Sequence, residues 1–363
     1  MTVPAFTRAS WQDTAMLGTA IVVPAPPDEW ARVVAADADG LITQTPEWVA
    51  AVSEVRGGRD ATRLYRWPDG TTAVLPLVRR GWGRAAVLES MPYAWGFGGL
   101  LTDSPVTPEM ATTVFGDLQR AGVLRVHLRP NPLHIDAWSS AATDVGSGIT
   151  VIPRVAHVLS LEGGYDEVWQ HRFTSNTRRH VRQAEKAGVE VATDTAGGLV
   201  PEFYDLLLRS FDRWAGKQHE PRALARWRGT HRDPRSKFET ISRHLHGGAH
   251  ILLARVQGQA AAAILVLQGR NAHYTRGAMI QELAGPSHAN SLLHARAIEA
   301  ACQAGCATYH MGETGNDEGL ARFKSRFGAV AHDYAEYRLE RLPLTRAEQL
   351  ARGAVKRVVR FRD

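Results

Sequence analysis

One order of apolar runs, helix and turn is written twice along the chain, and this repetition limits the possible folds more than any single motif. In the first half, the runs Ala61 to Trp67, Thr72 to Val78 and Ala85 to Met91 are separated by Pro68-Asp69-Gly70 and by Arg79 to Gly83. Alternating apolar residues bounded by turn-formers predict hairpin strands. A glycine-rich stretch, Gly96-Phe97-Gly98-Gly99, follows, then a helical run from Thr107 to Ala121 and a strand from Val123 to Arg129. In the second half, strands His250 to Val256, Ala260 to Leu267 and Asn271 to Met279 precede a helix from Ser287 to Gln303 and the strand Ala307 to Met311. Both helices close on Ala-Gly. Both final strands stop at a polar turn, Pro130-Asn131-Pro132 in one half and Gly312-Glu313-Thr314-Gly315 in the other. Such self-similarity predicts a duplicated domain. Hairpins followed by a crossover helix and another strand predict α/β layers, with a mixed sheet flanked by helices.

A chain of 363 residues is too long for one ordinary core and has room for two. No basic start leads into an apolar run and a small-residue cleavage site, so a secretory signal is not expected. No uninterrupted apolar segment is long enough to span a bilayer. A cytoplasmic protein is therefore expected, with Cys302 and Cys306 as reduced structural thiols rather than a disulfide. The net charge of +6 suits a polyanionic partner. There is no zinc-type His-Glu-His helix and no phosphate loop ending in Gly-Lys-Ser or Gly-Lys-Thr, so no metal or P-loop nucleotide is expected.

The segment Asp317 to Gly328 carries the clearest chemical anomaly. Asp317 suits an N-cap and Gly328 a C-terminal stop, and between them Leu320, Phe323, Lys324 and Phe327 share the buried stripe. Lys324 occupies a position where an apolar residue belongs. Either its stem lies in the core while the ammonium snorkels to water, or the cation serves a site where negative charge develops on a carbonyl oxygen. A second cationic feature is the helix Thr177 to Ala187, with Arg178, Arg179, Arg182 and Lys186, readable as a solvated face or as a phosphate-binding strip. Tyr274 and Arg276 lie two apart on one predicted strand and so on one face, where Arg276 could hold a carboxylate or phosphate. Glu313 and Asp317 precede the Lys324 helix as turn, cap or acid–base candidates, and Asp136 is a further carboxylate.

In this order, Pro46-Glu47-Trp48, Ser90-Met91-Pro92-Tyr93 with Gly98-Gly99-Leu100, the basic run Asn176 to Val189, Tyr274 to Ala278, and Gly319 to Gly328 resemble the FemABX-like branch of the GNAT superfamily. The resemblance covers nearly the whole chain. It implies two tandem GNAT-like domains: residues 1–152 completed by a returning segment within 335–345, then residues 153–334. The pattern of residues 346–363 itself reads as a basic amphipathic helix docked on the body. The resemblance implies transfer of an amino acid from aminoacyl-tRNA to an amine of a peptidoglycan precursor or small peptide-like metabolite. In this reading Lys324 stands beside the aminoacyl ester with Phe323 packed next to it, Tyr274 lines the acceptor pocket, and Glu313 and Asn131 face substrate. Asn131 occupies the place where relatives often carry an acid. The donor is a co-substrate, so no resident cofactor is implied. Acyl-CoA is the alternative donor, but the stretch Gln281 to Asn290 has one glycine, a proline and Glu282, a poor cradle for pyrophosphate. A non-catalytic tRNA- or nucleotide-binding protein is the reading from a different class.

Overall fold

The computed structural model describes residues 18–345 apart from 147, 219 and 316, together with 348 and 350. The helix expected over 346–363 otherwise lies outside the described residues. The first half supplies β1 (Ala20–Val22), α1 (Pro27–Ala36), α2 (Pro46–Arg56), β2 (Arg59–Asp60), β3 (Arg63–Arg66), β4 (Thr72–Leu75), β5 (Val78–Arg80), β6 (Val87–Ser90), β7 (Leu101–Thr102), α3 (Pro108–Arg120), β8 (Arg125–Leu128) and α4 (Ile135–Val145). The long β9 (Ile149–Ser160) leads into α5 (Gly164–Glu167), α6 (Ser175–Lys186), β10 (Glu190–Asp194), α7 (Val200–Gln218), α8 (Arg222–Arg232) and α9 (Arg235–His244). The chain ends with β11 (Ala249–Val256), β12 (Gln259–Gln268), β13 (Ala272–Met279), α10 (Gln281–Ser287), α11 (Ala289–Gln303), β14 (Thr308–Glu313), α12 (Glu318–Ser325) and β15 (Val330–Glu340).

One 11-stranded sheet runs through both halves in the order β10-β11-β12-β13-β14-β9-β15-β8-β6-β5-β2. Each half contributes one parallel pair closed by a crossover helix, β6-α3-β8 and β13-α11-β14. The duplication expected from the sequence is thus present as two mixed α/β repeats. β15 joins them: it pairs along β9 from Val330 to Leu339, while Tyr337 to Glu340 pair with β8 on its other edge.

The first half differs from a single meander. The apolar run Thr72 to Val78 is divided at Pro76, which has no N–H for a ladder. β4 pairs with β3 and β7 in a separate four-stranded sheet, and β5 joins the large sheet. Helix starts follow local chemistry: the Thr45 and Thr107 side chains accept from the amides of Trp48 and Met110, with proline in the first turn of each helix. The helix expected from Ser287 begins instead at Ala289. Gln281 to Ser287 form α10, and His288 separates the two helices in the left-handed region at φ 54°.

α2, α7 and α9 cover one face of the sheet, where Phe203, Leu207, Phe211 and Phe238 are buried. α6 and α11 cover the other, over Ile264, Val266, Leu292 and Ile298. Among the described residues no helix is long and apolar enough to cross a membrane, and both cysteines are free thiols.

The glycine-rich stretch has a steric reason. A Cβ on Gly98 would lie 2.7 Å from the Ser90 carbonyl carbon, and Gly98 donates to the Arg129 carbonyl at 2.7 Å, so neither segment has room to move. Gly116, inside α3, meets only the flexible end of Arg120. Gly98→Ala should therefore lower stability by about 1–3 kcal/mol. Gly116→Ala should raise it by up to about 1 kcal/mol through helix propensity. Urea midpoints of the two variants check both signs.

Candidate active site

β13 and β14 pair at only two positions, Ala272 with Tyr309 and His273 with His310. Beyond them the strands part. A cavity of about 210 Å³ opens in the gap, lined by Phe97, Arg129, Thr275, Arg276, Gly312 and Glu313 among others. Phe97 and Arg129 come from the first half, and Thr275, Arg276, Gly312 and Glu313 from the second, so the cavity lies where the repeats meet.

The cavity has a side toward each layer of helices, and a bulge divides its residues between them. Leu265 pairs with Arg276 but Val266 pairs with Tyr274, leaving Thr275 as an extra residue. A bulge reverses the alternation beyond it. The expectation that Tyr274 and Arg276 share a face is therefore corrected. Tyr274 lies on the α11 side against His294, with ring centroids 4.7 Å apart. Arg276 lies on the α9 side, where its Nη2 donates to Asp233 at 2.6 Å. Burial pushes the Tyr274 phenol up to about 12 and holds His294 and His273 down to about 3, so both imidazoles stay neutral.

Lys324 stands at the head of the gap. Asp317 caps α12 by accepting from Leu320, and Lys324 is the helix's buried residue among those described, only 2% exposed. Its ammonium does not snorkel. It donates to the carbonyls of Gly312 at 2.8 Å and Glu313 at 2.7 Å, where β14 has left β13. Hydrogen bonds to a charged group contribute about 1.5–3 kcal/mol each, whereas burying an ammonium costs several kcal/mol. The proton is accordingly held weakly: burial lowers the Lys324 pKa to about 7, and Asp317 opposes this only in part. Phe323 is half-buried and meets the His294 ring at 5.3 Å.

Glu313 faces the cavity from the other side of the same backbone. Its Oε1 accepts from Tyr334 and pairs with Arg129. Arg129 is nearly wholly buried, pairs also with Glu336, and lies beneath the exposed Tyr93 ring at 5.4 Å. Burial opposes ionisation of Glu336, but His127, Arg129 and Arg154 outweigh it and hold the carboxyl well below the usual range. Asn131 does not line the cavity. It is buried in the turn after β8, where its side chain caps Leu133 and donates to the Asp39 carbonyl. Asp136 is exposed on α4.

On the α9 side, Asp233 is completely buried and gathers three cations, Arg276, Lys237 at 2.8 Å and Arg232 at 2.8 Å. Lys237 also donates to the Ala94 carbonyl at 2.6 Å and lies 4.5 Å over the Trp95 ring, tying the second half to the first-half wall of the cavity. Of this cluster the sequence singles out only Arg276, and it does not single out Arg129. A signal for Arg129 existed, since it ends the crossover strand at the place in the first repeat where Gly312 and Glu313 end it in the second.

The basic helix is only partly a free strip. Arg178 Nη1 donates to the carbonyls of Trp169, Gln170 and Phe173, so this residue closes the preceding turn. Arg179, Arg182 and Lys186 are exposed, with Arg182 over Trp169. His180 of the same helix stacks on His288 at 3.9 Å, which sets α6 against the start of α11.

Residues 171–325 match the family described as Acetyltransferase (GNAT) domain. Among solved structures, FemX has the same fold at 14% identity and a TM-score of 0.66, with 88% of this chain and 97% of that one covered. A C-terminal domain assigned to lysylphosphatidylglycerol synthetase from Agrobacterium fabrum matches at 13% identity and 0.51, covering 90% and 97%. A tandem GNAT protein from the clavulanic acid biosynthesis pathway matches at 14% and 0.50, covering 89% and 98%. No curated protein sequence matches. The chain is an acyltransferase of GNAT fold. Its two repeats have the arrangement seen in FemX-like and tandem GNAT structures.

The chain has five lysines, which makes the unusual one simple to resolve. The ¹³Cε resonance of Lys324, assigned through Lys324→Arg, should titrate near pH 7, with Lys237 near pH 8. A Lys324 midpoint near the ordinary lysine value of about 10.4 would mean that its ammonium reaches water.

Proposed function

We propose that this chain is an aminoacyl-tRNA-dependent aminoacyltransferase that forms an amide on an amine of a peptidoglycan precursor or a small peptide-like metabolite. The observation that carries the donor assignment is the stretch before α11. In a coenzyme A site, a glycine-rich turn presents its amides to the pyrophosphate at the helix start. Here α10 fills that stretch with helix, and Pro286 offers no N–H. The exposed Arg179, Arg182 and Lys186 lie on the helix packed against the same place, and a polyanion can follow them. The likeness to FemX supports this reading.

Chemically, the acceptor nitrogen attacks the ester carbonyl of the donor. The bond to the ribose oxygen breaks, and the proton from the amine ends on that oxygen. The acceptor meets the Glu313 carboxylate in the cavity that Tyr274 and Arg276 also line. Lys324, held at the carbonyls of Gly312 and Glu313, supplies positive charge to the carbonyl oxygen as it becomes anionic. With its pKa near 7, that charge is present below neutrality and lost above it. The donor is consumed rather than resident, and its chemistry places the reaction in the cytoplasm. The family description favours acyl-CoA as the second reading.

Purified protein incubated with radiolabelled mixed aminoacyl-tRNA and an extract of acceptors should form RNase-sensitive amide product. Lys324→Ala should lose most of it, about 100-fold or more, as expected for removing an oxyanion-stabilising donor. Between pH 6 and 8 the Lys324-dependent limb should fall as pH rises, and Lys324→Arg, whose guanidinium stays charged, should remove that fall. Transfer from acyl-CoA with none from tRNA would replace the donor assignment.

A further inference from the structure

The cavity also says which amines it will take, an inference that rests on the acyl-transfer reading above. The α9 wall has an imbalance of charge: Arg276, Lys237 and Arg232 surround the single carboxylate of Asp233, three cations to one anion. Lys237 and Arg232 lie over the Trp95 and Phe211 rings and do not line the cavity. Arg276 lines it. Its Nη2 is fixed by Asp233, and among the described residues its other guanidinium nitrogens have no hydrogen-bond partner. The guanidinium is thus held in place with its remaining donors available to an anionic oxygen group, the geometry that favours two-point recognition.

On the diverging strand stands the opposite charge. Glu313 Oε1 is occupied by Tyr334 and Arg129, whereas Oε2 has no partner among the described residues. The main-chain carbonyl of Glu313 holds the Lys324 ammonium, so an amine held by Oε2 lies at the reacting end, with Arg276 reading the far end of the same molecule. The volume of about 210 Å³ is below the ~300–1,000 Å³ of pockets that hold drug-sized ligands. We propose that the acceptor is a small primary amine carrying its own anionic oxygen group, with Glu313 taking the nitrogen and Arg276 the anion. Asp233 is the positioning residue for Arg276, and Lys237 ties that pair to the loop at Ala94 and Trp95.

Calorimetric titration without any donor tests this directly, with 4-aminobutanoate, O-phosphoethanolamine, butylamine and butanoate as probes. At least one of the two zwitterionic probes should bind about tenfold or more tighter than butylamine and butanoate, as expected when a second charged group is engaged. The tighter of the two identifies carboxylate or phosphate as the preferred anion. Arg276→Gln should erase the advantage over butylamine, and Glu313→Gln the advantage over butanoate. Arg276→Lys, which keeps the charge but not the fork, should retain part of it, and melting curves verify that each variant is folded. Equal binding of butylamine and both zwitterions, or an advantage that survives Arg276→Gln in folded protein, would overturn the proposal. RNase-sensitive transfer to uncharged amines would overturn it too, while leaving the donor reading standing.

Discussion

The molecule is organised around a ladder that stops. β13 and β14 exchange hydrogen bonds at their first residues and then separate, and the second-half groups of the cavity take their places from that parting. The Gly312 and Glu313 carbonyls at the end of β14 take a lysine ammonium as their partner. A backbone carbonyl buried without a partner is costly, and so is a buried ammonium without acceptors. Each relieves the other, which is why Lys324 is fixed at the head of the gap rather than free on the surface.

The sheet between the two helix layers gives the gap its polarity. On the α11 side it is aromatic and neutral, with Tyr274, His294 and Phe323. On the α9 side it is ionic, with Arg276 and the Asp233 cluster. The bulge at Thr275 makes this division, because one inserted residue sends neighbours in the chain to opposite layers.

The parts legible in the sequence were those with a local cause. The repeat could be read because each half needs the same succession of strands, crossover helix and turn. Lys324 could be read because a charge interrupts an apolar stripe at helical spacing. The bulge could not, since Ala272 to Met279 looks like an unbroken strand until its partner β12 is present. Asp233 and Lys237 stand in Arg-Asp-Pro-Arg-Ser-Lys, which reads as solvated surface. They are buried by Trp95 and Ala94, more than 130 residues away in sequence. Arg178 suits a phosphate strip by its type and Asn131 a substrate contact by its place in the resemblance, yet both side chains donate to main-chain carbonyls of the protein itself.

β15 has a consequence for how the protein comes to exist. Its last residues complete the edge of β8, so the first repeat is finished by a strand that follows the whole second repeat in the chain. During synthesis the first half waits with β8 uncovered on one side, and an open strand edge invites mispairing. The two repeats resemble separable domains in sequence, yet they are interleaved in space like clasped fingers. Cutting the gene between them would leave the first fragment without the strand that covers β8, and the second with a strand paired on one edge only.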